Sequence, residues 1–139
     1  MNIEIIKGAL NRRHPYLLID KILEFEPGER ITVVKNVSYS DWYFDVTYLG
    51  ERYVPAFVLN EIMTQAAEAG LLLSERYKGK KFYLTGTDKC RYHRRVIPGD
   101  VLTIVVEMDR LRLSSGTVKV KAYIEQDEAC EASLLFNIE

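Results

Sequence analysis

Cysteine and histidine are nearly missing from this sequence: Cys90, Cys130, His14 and His93 are all that its 139 residues contain. Two cysteines give no disulfide framework, and no CxxC or clustered His pattern supplies a metal-site spacing. Neither a metal nor a cofactor is therefore expected. Charge of one sign is also lacking, with 19 Lys+Arg against 20 Asp+Glu and a net charge of −1. The whole molecule thus offers no field that would draw in nucleic acid or an anionic membrane. No stretch approaches the roughly 20 apolar residues that span a bilayer. The opening Met1-Asn2-Ile3-Glu4 lacks the basic start and apolar run of a signal peptide, so a reducing cytoplasm is the expected compartment. There is no repeat, linker or low-complexity tract, and residues 1–139 are expected to form one domain. What is present is apolar: 47% of residues are hydrophobic and 11% aromatic, enough for a real core.

The pattern along the chain predicts a short helix over Ile3–Asn11, with Ile5, Ile6 and Leu10 at helical spacing. Tyr16–Phe25 reads as a strand, Pro27-Gly28-Glu29-Arg30 as a turn, and Ile31–Tyr39 as the returning strand. An irregular aromatic stretch follows, with Trp42, Tyr43, Phe44, Tyr48 and Tyr53. The one long helical signal is Ala56–Tyr77, and Gly79 is its stop. Its apolar residues cover far more than one stripe, so this helix must be enclosed by other structure. Four strands are then predicted: Lys81–Tyr92, Asp100–Leu113, Thr117–Gln126 and Ala129–Ile138. Hairpin connections make the sheet antiparallel, and wrapping it around the one long helix is the economical packing.

Four motifs in this order resemble one family. Arg13-His14-Pro15-Tyr16-Leu17-Leu18-Ile19-Asp20-Lys21 is similar to an HPFLLVDR-like opening strand, and Pro55 to Ala67 is similar to PGVLxxEAMAQAA. Tyr83 to Tyr92 is similar to YLAGIDKARF, and Val96-Ile97-Pro98-Gly99-Asp100 to VVPGD. Together they resemble the hotdog-fold 3-hydroxyacyl-acyl-carrier-protein dehydratases of the FabZ type. The resemblance implies an α+β hotdog fold, an antiparallel sheet of about five to six strands around one central helix. It also implies a homodimer with continuous sheets and a site between subunits, with a trimer of dimers as a further assembly. The partner implied is a thioester of acyl carrier protein or coenzyme A.

The sequence departs from the family pattern where the chemistry would sit. Dehydration of a 3-hydroxyacyl thioester needs a base for the proton beside the carbonyl and an acid for the departing hydroxyl. In the family a His and an acid fourteen residues later fill these roles, and the acid matches Glu61. Counting back fourteen residues lands on Thr47, where the family's Gly-His-Phe-Pro has become Val46-Thr47-Tyr48-Leu49. A threonine hydroxyl does not titrate near neutral pH and cannot replace imidazole. The helix-opening Pro-Gly is Pro55-Ala56, and the Gly after the Gln-Ala-Ala run is Glu68.

By resemblance, Glu61 and Thr47 occupy the catalytic positions, and Ala56, Phe57, Gln65 and Tyr48 are expected along the substrate. Glu61, Gln65 and Glu68 share one helix face. That polar stripe is equally a wet groove or a polar seam to a second subunit. Lys89, Arg91, Arg94 and Arg95 form a basic segment suited to an acidic carrier surface or a pantetheine phosphate, with an ordinary charged loop as the alternative. His14 and His93 are read as structural or rim residues. Three activities stay open: a divergent dehydratase, a thioesterase using Glu61, and a non-catalytic acyl-carrier binder or partner subunit.

Overall fold

The computed structural model describes residues 2–46 and 52–139. A short helix α1 (Ile3–Ala9) is capped by Asn2, whose side chain accepts from the amides of Glu4 and Ile5. Strands β1 (Lys21–Glu26) and β2 (Arg30–Asn36) form a hairpin, followed by a 3₁₀ turn at Trp42–Val46. Helix α2 (Ala56–Leu72) comes next, then a 3₁₀ turn at Glu75–Tyr77. Strands β3 (Phe82–Tyr92), β4 (Val101–Leu111), β5 (Ser115–Ile124) and β6 (Asp127–Ile138) complete the chain. All six strands make one antiparallel sheet in the order β1-β2-β4-β5-β6-β3. This is the α+β arrangement that the motifs imply.

The sheet buries one face against α2. Ile31, Val33, Leu102, Ile104, Val106, Val118 and Val120 are buried by the period-two alternation of their strands. Facing them, α2 presents Ile62, Ala66, Ala69, Gly70 and Leu71, among the twelve residues it buries. Small residues let the helix lie close to the sheet. At Gly70 an added Cβ would sit 2.8 Å from Ile31 Cγ2 and 2.6 Å from Met108 Cε.

Two elements differ from the sequence reading. The first strand starts at Lys21 rather than Tyr16, because the Leu18 amide donates to the Gln65 side chain and the Tyr16 carbonyl accepts from it, in place of bonds to a neighbouring strand. The long helix ends at Leu72, short of Tyr77. Ser74 turns its hydroxyl back onto the Gly70 carbonyl, and the chain continues as a separate 3₁₀ turn.

Candidate functional site

The site gathers on the face of α2 that looks away from the sheet, with the segment between α1 and β1 laid across it. Gln65 is fully buried. Its Oε1 accepts from the Leu18 amide at 2.9 Å, and its Nε2 donates to the Tyr16 carbonyl at 2.8 Å and to Glu61 Oε1 at 3.0 Å. One side chain thus ties the Tyr16–Leu18 segment to the helix and orients Glu61. Arg12 approaches from the same side. Its Nε lies 3.2 Å from Glu61 Oε1, and its two terminal nitrogens make a bidentate pair with Glu68.

Glu61 is half-exposed while Glu68 is nearly enclosed, with side-chain exposures of 42% and 10%. Burial pushes the Glu68 carboxyl up, against the opposing pull of Arg12 and with a further push from Glu61. Burial tends to lower Arg12, but the two carboxylates outweigh it and raise it.

Two spaces adjoin this group. A slot of about 150 Å³ at the start of α2 is lined by Tyr16, Leu18, Trp42, Phe57, Val58 and Glu61. It is apolar apart from the Glu61 carboxylate. Trp42 is fixed there by its indole N–H, which donates to the Pro15 carbonyl at 2.9 Å, and its ring meets Tyr16 edge to face. A larger cavity of about 680 Å³ lies further along the helix, where Arg12, Glu68, Lys80 and Lys81 meet Leu72 and Phe82.

The mouth of the slot has unused donors. Pro55 precedes α2 and has no capping side chain, while its carbonyl takes the Val58 and Leu59 amides. Among the described residues, the Ala56 and Phe57 amides therefore remain available to a ligand oxygen, at the positive end of a 17-residue helix. Phe57 is 60% exposed and lines the slot.

Of the other expected site residues, Thr47 and Tyr48 lie outside the described residues. Lys89 and Arg91 are exposed on β3, Lys89 with φ of 50° at an irregularity in its pairing with β6. Arg94 pairs with Asp127 at 3.3 Å and Arg95 stacks 4.7 Å from the Tyr53 ring centre. This basic segment starts beside the site, since Cys90 and the Tyr92 hydroxyl both bond Asn60, the neighbour of Glu61.

Neither histidine lines the slot. His14 borders a separate hollow with Lys7, Arg13 and Asp20, and His93 pairs with Glu131 at 3.2 Å. His93, Glu128 and Glu131 bring donor atoms within 4.8 Å of one another at the surface. The two neighbouring carboxyls shift in opposite directions, Glu128 up and Glu131 down. Sequence reading missed Arg12 as a member of the site. The only available signal was its position immediately ahead of the Arg13–Lys21 motif, with no spacing to Glu61 or Glu68 that pattern alone could reveal.

Comparison with known proteins agrees with this architecture. A family model described as a FabA-like domain matches residues 10–133. The 3-hydroxyacyl-[acyl-carrier-protein] dehydratase FabZ of Alkaliphilus metalliredigens is 40% identical over 135 residues, covering 97% of this chain and 91% of that protein. The FabZ of Oceanobacillus iheyensis is 36% identical over 138 residues, 99% of each chain. Among solved structures, the dehydratase heterocomplex ApeI:P from Xenorhabdus doucetiae superposes with a TM-score of 0.80 at 14% identity, over 95% of this chain and 89% of that one. The smu.793 protein of Streptococcus mutans, solved with acetyl CoA, gives 0.73 at 14% identity over 94% and 95%. At that identity the two structures attest the fold, while the sequence relatives carry the kinship: this chain belongs to the FabA-like family, of the FabZ dehydratase type.

Proposed function

We propose that this protein binds a 3-hydroxyacyl or enoyl thioester of acyl carrier protein or coenzyme A, as a divergent dehydratase-type protein with weak or absent dehydration. The observation that carries this reading is the slot itself. One carboxylate, Glu61, stands in an apolar wall next to the free amides that open α2. The acyl carbon chain would lie against Tyr16, Trp42 and Phe57. The thioester oxygen would accept from the Ala56 and Phe57 amides, whose partial positive charge suits a developing oxyanion. Dehydration further needs a base on the α-proton and an acid on the leaving hydroxyl. Thr47 supplies neither. Glu61 is already held by Arg12 and Gln65, which leaves it poised as an acceptor.

That same hold favours a second reading, in which Glu61 is the base or nucleophile of a thioesterase. The exposed Tyr83, Leu84 and Tyr92 on the edge strand β3 support a homodimer that continues the sheet. A monomer by light scattering at micromolar concentration would remove that support.

The deciding experiment incubates the purified protein with 3-hydroxyacyl, enoyl and saturated acyl thioesters and follows mass. Binding with slow or no loss of water is expected. Water loss at rates typical of an enzyme with an intact base would overturn the proposal. Hydrolysis abolished by Glu61→Gln with binding retained would select the thioesterase.

A further inference from the structure

A lysine stands where the sheet calls for a hydrophobic residue. Ile31, Val33 and Lys35 alternate along one face of β2, and Lys35 is buried like the other two. Its ammonium lies 3.6 Å from Asp41 Oδ2 and 4.0 Å from Asp20 Oδ2. These carboxylates belong to the two segments that wall the slot. Asp20 ends the stretch before β1 that carries Tyr16 and Leu18, and Asp41 immediately precedes Trp42. We propose that Lys35 is a positioning residue of the slot: its cation docks the Trp42 turn onto the strand that already holds the Tyr16–Leu18 segment. The inference rests on the thioester reading above and adds what keeps the slot in its binding shape.

The bonds on each side lead to the walls. The Asp20 amide donates to the Val34 carbonyl at 2.8 Å, and Asp20 Oδ2 accepts from the Asn36 amide at 2.7 Å. Asp20 is thus fastened to β2 at the residues on either side of Lys35. Asp41 Oδ2 accepts from the Ser38 amide at 3.0 Å and from the Tyr43 hydroxyl at 2.5 Å. Burial and Asp41 push the Tyr43 hydroxyl far above its ordinary range, so it stays a donor. The Tyr43 ring in turn meets the Trp42 ring edge to face.

Stability alone does not call for a charge here, since a well-packed apolar residue at a buried ion-pair position is often neutral or stabilising. What the pair adds is direction. Burial of Tyr43 and Phe44 holds the turn to the core, but apolar contact is non-directional. The ammonium facing Asp41, with the Tyr43 hydroxyl bond, sets the angle at which Trp42 enters the slot.

The test replaces Lys35 with methionine, which keeps the unbranched stem and drops the charge. Asp41 and Asp20 both reach solvent, with side-chain exposures of 22% and 41%, so Lys35→Met strands no carboxylate in the core. Trp42 is the one tryptophan of the sequence, so its emission reports that wall directly. In the free protein, Lys35→Met should shift this emission to the red and open it to acrylamide quenching. Calorimetry with a six-carbon acyl-pantetheine thioester should show binding about tenfold weaker than native. Val33→Ala is the control, because it removes packing from the same face of the same strand and leaves the charges alone. It should lower the melting temperature, keep the native emission and bind within about twofold of native.

Native emission and affinity in a folded Lys35→Met, or equal losses in Val33→Ala, would overturn the inference. Should circular dichroism show Lys35→Met unfolded, Asp41→Asn takes its place, since it keeps an acceptor for Ser38 and Tyr43 without the charge. It must then shift the emission and weaken binding in the same direction, or the inference falls. A shifted emission with unchanged affinity would sink this proposal alone. Native failure to bind the thioester would sink the proposed function with it.

Discussion

Replacing Gln65 with leucine tests whether the site is held by one buried amide. Leucine fits the space approximately and cannot hydrogen-bond. Three contacts disappear: those to the Leu18 amide, the Tyr16 carbonyl and Glu61. Leu18 is itself buried at 4% exposure, so its N–H is left without a partner and without water. An orphaned buried group costs about 1–3 kcal/mol, and each remaining bond contributes about 1 kcal/mol net. The added apolar burial of leucine offsets part of this, which leaves a loss of about 2–4 kcal/mol. At roughly 3–4 °C per kcal/mol for a domain of this size, the melting temperature should fall by roughly 6–16 °C. The assay is thermal unfolding by circular dichroism, with binding of a six-carbon acyl thioester measured on the folded variant. Binding should weaken too, because Glu61 and the Tyr16 wall of the slot lose their common anchor. A fall below about 2 °C would refute the reasoning, since it would mean that the amide carries no more than a surface bond does.

Four further outcomes follow from the same structure. Gly70→Ala gains about 1 kcal/mol of helix propensity but drives a Cβ into Ile31, whose β-branched side chain cannot yield as Met108 can. Overpacking costs about 1–3 kcal/mol, so the variant should be less stable by about 1 kcal/mol in urea titration. Because burial raises the Glu68 carboxyl in the fold, the unfolded chain gives up that proton first as pH rises. Glu68's contribution is therefore present below the ordinary carboxyl range and lost as pH climbs through the folded value, and Glu68→Gln should flatten that part of a stability–pH curve. Burial pushes the Cys130 thiol up to about 12, while Cys90 is partly exposed. Iodoacetamide on the native protein should label Cys90 and spare Cys130 by peptide mass spectrometry. Reversing the charges of Arg91 and Arg94 should weaken binding to an acyl carrier protein, as should added salt, with unchanged calorimetric affinity in both cases as the contrary result.

The sequence announced its architecture through periodicity and turns. Alternation in β4, β5 and β6 and the all-round apolar α2 are direct consequences of packing on two faces, and such patterns survive in a single sequence. Tyr16–Asp20 reads as part of the first strand because Leu17-Leu18-Ile19 is a continuous apolar run, and the structure buries Leu18 and Ile19 without pairing the segment as a strand. The difference lies in where the backbone bonds go, and that depends on Gln65, far along the chain. Glu61 was legible because a motif surrounds it. Arg12 was not, since a charge that pairs across 56 residues leaves no local trace. Gln65 was expected along the substrate; the structure has all its polar atoms engaged with protein.

The enclosure of α2 also sets a clock for the amide protons along it. A helix with solvent on one side frays and exchanges from that side by local openings. Here residues from Met63 to Leu71 are buried without a break, between the sheet on one face and the Tyr16–Leu18 segment on the other. Their amides have no route to deuterium short of parting the helix from the sheet, which is global unfolding. The slowest-exchanging protons of the protein should therefore be those of the helix core, and their rate reads the full stability directly. Ala56 and Phe57, at its open end, should exchange fast in the free protein and slow down when a thioester oxygen takes their N–H groups. One labelling experiment along a single helix would thus report the stability of the fold at its centre and the occupancy of the site at its tip.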